Sequence, residues 1–98
     1  MENNYELVQG NETYIKVIAF PPAPGAEYAG ESMWVLLRDG DRNNGTGWVN
    51  NNPVVTDVAV LGSLVAFGGG TDEVKPFYIR TIEKHTDKFG GPGGGVNG

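Results

Sequence analysis

A chain of 98 residues with a formal charge of -5, a pI near 4.6 and no cysteine makes one small domain on a single core, without disulfides or thiolate metal sites. Its acidity leaves no basic stripe for a DNA or RNA duplex. The opening MENNYELVQG lacks the basic and apolar regions of a secretory signal, and no apolar run reaches the roughly 20 residues that span a bilayer. The expected location is therefore the cytoplasm, with neither a membrane nor a nucleic acid duplex as partner.

No window carries a sustained helical apolar period with caps, whereas short apolar or alternating runs recur between turn residues. That pattern predicts a mainly β chain. YELVQ (residues 5–9) is a weak first strand. TYIKVIAF (13–20) is apolar on both faces apart from Lys16, which predicts a central strand. PPAPGAEYAG (21–30) has three prolines and two glycines, cannot continue a ladder, and is expected to be a long ordered loop of the kind that carries binding surfaces.

SMWVLLR (32–38) and GTGWVNN (45–51) read as the two strands of a hairpin, joined by the mobile polar connection DGDRNNG. The same connection invites a calcium reading, with Asp39, Asp41 and Asn43 at loop positions 1, 3 and 5. The glycine required at position 6 is Asn44, however, and the bidentate glutamate required at position 12 is Asn50, so no metal site is expected. A polar turn, in which Asp and Asn bond their own backbone, explains the residues better. PVVTDVAVLG (53–62) is read as an irregular strand followed by a short turn. SLVAF (63–67) and PFYIRTIEK (76–84) supply two more strands, separated by a turn at GGGTDE. The glycine-rich run from Gly90 has nothing to bury, so residues 1–89 form the expected domain and 90–98 a disordered tail.

The succession ESMWVLL, an Asp/Gly turn, GTGWVNNNP and then VAVLGSLVAF is similar to the YegJ-like family of small bacterial proteins. The likeness rests on Glu31, Met33, Trp34, Val35, Gly47, Val49, Asn50 or Asn51, Pro53, Leu61, Gly62 and Val65, and covers about residues 31–67. Ser63 stands where the family usually has an acidic residue. The resemblance implies a small β-rich fold and no particular chemistry.

Catalytic signatures are lacking. The single histidine, His85, falls beside the tail, where a base would lack a rigid frame. There is no nucleophile elbow, no paired histidines for zinc and no phosphate loop. GGGTDE has a backbone able to form an anion nest, but Asp72 and Glu73 stand against that use. No catalytic residue and no cofactor is expected.

The aromatics carry more information. Most of Tyr28, Trp34, Trp48, Phe67, Phe77 and Tyr78 are expected in the core, Trp34 above all. A binding surface is expected where the proline loop meets the end of the GWVNNNP strand, formed by Tyr28, Trp48, Asn50, Asn51 and Asn52, with Arg38 or Arg80 available to an anionic ligand. The sequence thus predicts a small antiparallel β-barrel or bent sheet of five to six strands, of SH3-like size, with at most one short helical turn. Its expected role is a non-catalytic binding protein of bacterial or phage type, acting stoichiometrically on a partner protein, as an inhibitor would. The alternatives are an oligomeric protein that sequesters a small anionic or nucleotide signal, and a structural or decoration component of a larger assembly.

Overall fold

The computed structural model describes residues 6–90. Six strands follow in chain order: β1 (Glu6–Gln9), β2 (Glu12–Phe20), β3 (Glu31–Gly40), β4 (Gly45–Val49), β5 (Leu64–Gly68) and β6 (Phe77–Glu83). A single 3₁₀ turn, Lys88–Gly90, comes after them. β2 to β6 close into a five-stranded barrel, and β1 extends β2 as a hairpin arm. Neighbours pair antiparallel except at the closure, where β2 meets β6 in parallel at Ile18 and Phe77. The barrel is therefore mixed. Tyr5 and residues 91–98 lie outside the described residues, and so do the start expected for β1 and all but Gly90 of the expected tail; Gly90 itself closes the 3₁₀ turn.

Alternation places Ile15, Val17 and Phe20 of β2, Met33 and Val35 of β3, Val49 of β4, and Val65 and Phe67 of β5 in one interior cluster, with Ala59 added from the β4–β5 loop. Tyr78 of β6 packs against this cluster, its ring centroid 4.9 Å from that of Phe20. β2 is central in the sense expected, since it borders β1, β3 and β6. Its pairing slips between Val17 and Phe20, where Ala19 takes a left-handed backbone with φ 66°. The slip leaves the Ile18 N–H to bond the Pro76 carbonyl at 3.0 Å, which closes the barrel. A side chain at positive φ is strained, and here that strain sits at the closure.

Several local expectations need correction. Trp34 is not a core residue: its neighbours Met33 and Val35 point inward, and the pleat turns Trp34 out, half-buried. Phe77 is also an outward residue, 43% exposed. Residues 53–62 form no strand: Glu31 takes the first N–H groups of the segment, and those of Val58, Val60 and Gly62 go to Thr56 Oγ1, Ser63 Oγ and the Val49 carbonyl. The Glu31 carboxylate accepts from Val54, Val55 and Thr56. The hairpin connection is shorter and firmer than expected, since Asp39 and Gly40 pair with Thr46 and Gly45. Asp41 Oδ1 accepts the N–H groups of Asn43 and Asn44, and Arg42 pairs with Asp72 across to the β5–β6 turn. Asn44 Oδ1 and the Asn43 carbonyl take the N–H groups of Gly69 and Gly70, so those two amides are not free to cradle an anion.

Candidate functional site

With the core cluster occupying the interior, two grooves lie on the outer face of the sheet. Register carries one row of side chains across it: Leu7 is opposite Tyr14, Tyr14 opposite Leu36, Leu36 opposite Trp48, Trp48 opposite Leu64, and Leu64 opposite Glu83. Five consecutive strands thus present a mostly apolar row to the outside. Leu36 and Leu64 in this row are only 5% and 9% exposed, yet neither belongs to the interior cluster.

One end of the row is a groove of about 200 Å³ lined by Leu7, Gln9, Tyr14, Trp34 and Asn50. Trp34 stands across from Lys16, whose ammonium lies 5.0 Å from the ring centroid. The Tyr14 hydroxyl donates to Glu12 Oε1 at 3.1 Å; burial and then this carboxylate push its pKa up, so it stays a neutral donor.

The other end is a larger, open groove of about 540 Å³ lined by Arg38, Trp48, Leu64, Glu83, His85, Thr86 and Asp87. Register slips between Leu37 and Asp39, and the extra residue, Arg38, lines this groove, forming an exposed pair with Asp39 at 3.3 Å. Residues 84–90 run along the opposite wall. Ser63 Oγ donates to the Lys84 carbonyl at 2.6 Å, Thr86 Oγ1 donates to the Gly62 carbonyl at 2.6 Å, and Lys88 N–H donates to Thr86 Oγ1 at 3.1 Å. Those bonds seat Lys88 with its ammonium 4.4 Å from the Trp48 ring centroid.

The residues expected to form one site are divided by the fold. Trp48 and Arg38 share the larger groove, and Asn50 lines the smaller one. Asn51 is occupied structurally, because its Oδ1 accepts the backbone N–H of Trp34. Asn52 is exposed. The proline loop does reach the segment after β4, through Ala23 N–H to the Val55 carbonyl at 2.9 Å, and Glu31 at the start of β3 bonds the same segment. Tyr28, 66% exposed on that loop, lines neither groove. Arg80 lies on β6, exposed, opposite Ala66. Sequence reasoning missed Tyr14, Lys16, Lys88 and the groove position of His85. The alternation in TYIKVIAF held the signal for Tyr14 and Lys16, whereas nothing local announced that residues 84–90 fold back over Trp48.

Among the described residues no three His, Cys, Asp or Glu side chains gather as metal ligands, and no helix is long and apolar enough to cross a membrane. No family model matches the chain, and the searches of curated proteins and of solved structures return no match either.

Proposed function

We propose that this protein is a non-catalytic binding module that engages a partner polypeptide stoichiometrically across the outer face of β1–β4. The outer-face residues Leu7, Tyr14, Trp34 and Trp48, which line two grooves, carry this reading. Tyrosine and tryptophan offer large, stiff contact area with a polar edge, which is what recognition surfaces use. The net charge of -5 steers basic partners towards the chain.

Catalysis in the larger groove is disfavoured by its side chains. The Thr86 hydroxyl is engaged by the Gly62 carbonyl and the Lys88 N–H, so it is no free nucleophile, and His85 sits exposed on an irregular segment. Sequestration of a small anion is the weaker reading for the same groove, because Glu83 and Asp87 line it beside Arg38, and Arg38 faces Asp39.

Affinity capture with the wild-type chain and with a Tyr14→Ala, Trp34→Ala double variant tests the proposal. The expected result is a protein retained near equal stoichiometry by the wild type and lost by the folded variant. Equal retention by both, or retention of a small anionic molecule alone, overturns it.

A further inference from the structure

The Lys88 ammonium lies 4.4 Å from the Trp48 ring centroid and 5.8 Å from that of Phe89, and Trp48 lines the larger groove together with Glu83 and Asp87. We propose that this groove is a receptor for an alkylammonium group, such as a lysine or methylated lysine side chain of a partner, and that Lys88 is its internal placeholder. The inference deepens the binding reading above by assigning the class of side chain that the larger groove takes.

Three features support it. The face of an aromatic ring attracts a cation through its quadrupole, and tryptophan does so best. The carboxylates of Glu83 and Asp87 add charge of the matching sign, and Arg38, which also lines the groove, is paired to Asp39. The placeholder is also deliberately seated. Gly62, at φ 90°, lets residues 84–90 come so close that a Cβ there would stand 2.5 Å from the Lys88 carbonyl oxygen. This approach and the Thr86 hydrogen bonds fix the backbone of Lys88, while its ammonium reaches the ring through a flexible four-carbon stem. An incoming ammonium can therefore replace the side chain without unseating the backbone.

The test titrates purified wild-type, Lys88→Ala and Lys88→Arg chains with choline and with its neutral isostere 3,3-dimethyl-1-butanol, following the Trp48 indole N–H by NMR. Choline is expected to shift that signal saturably in Lys88→Ala. Its Kd there should be about tenfold or more below that of the isostere and below its own Kd for wild type and Lys88→Arg, in which a cation already covers the ring. The Trp34 indole should not move. Should Lys88→Ala lose the backbone signals of residues 84–90, Lys88→Met keeps the aliphatic stem and takes its place. Equal binding of choline and the isostere, or no shift at Trp48 in the emptied groove, overturns the proposal. Because no partner is present, either failure is distinct from a failure of the partner-binding reading.

Discussion

The carboxylate of Glu31 accepts the backbone N–H of Thr56 at 2.6 Å, and through this contact the start of β3 fixes the loop that follows β4. The same carboxylate takes the N–H groups of Val54 and Val55, so one side chain replaces the ladder that VVT would otherwise need. Burial alone would raise the Glu31 pKa, but the three hydrogen bonds from Thr56, Val55 and Val54 outweigh it and leave the pKa below the usual glutamate value.

Glu31→Gln should therefore destabilise the protein by about 1–2 kcal/mol at pH 7, the scale of charge-assisted hydrogen bonds at a partly exposed site. A carboxyl with a lowered folded pKa stabilises above its unfolded value of about 4.3 and loses that contribution as pH falls through the folded value. The gap between wild type and variant should thus close in acid. Urea unfolding of both chains across this range checks it, and a gap independent of pH would place the stabilisation elsewhere.

Ala19 offers a second test, because a left-handed alanine at the β2 slip is strained where glycine would not be. Ala19→Gly should stabilise by about 0.5 kcal/mol, the relief being partly offset by the freer unfolded chain. Ala19→Val should destabilise by roughly 1 kcal/mol or more. Thermal unfolding that ranks valine above glycine would show that the slip does not hold this residue at positive φ.

The barrel was largely legible in the sequence. All six strands fall within two residues of their expected bounds wherever they lie among the described residues, since alternation and punctuation by glycine and proline are local signals. The direction of a strand's two faces was less legible. In MWVLL every residue is apolar, so nothing local says that Met33 and Val35 face in while Trp34 faces out; the register with Val17 and Val49 decides that. The site was only half legible for the same reason, because Trp48 meets Lys88 across 40 positions of sequence.

That division of β3 gives a ranking. Met33→Ala removes a fully buried side chain and should cost about 2–5 kcal/mol. Trp34→Ala uncovers outer-face surface and should cost about 1 kcal/mol. Denaturant midpoints in the reverse order would return Trp34 to the core.

Asn51 and Asn52, adjacent and chemically alike, should behave differently. Asn51→Ala strands the part-buried N–H of Trp34 and should cost about 1–2 kcal/mol in denaturant unfolding. Asn52→Ala, at an exposed position, should stay within about 0.5 kcal/mol of wild type. Equal effects would mean that the Asn51 contact contributes nothing.

The outer face is tested most directly by hydroxyl-radical footprinting of the chain alone and in complex with the partner it retains. Tyr14, Trp34 and Trp48 lie on one face, whereas Tyr28 stands apart on the proline loop and Phe77 on β6. Binding should lower the oxidation rates of Tyr14, Trp34 and Trp48 several-fold and leave those of Tyr28 and Phe77 unchanged. Protection of Tyr28 or Phe77, with the two tryptophans oxidised as fast as in the free chain, would contradict a binding face on β1–β4.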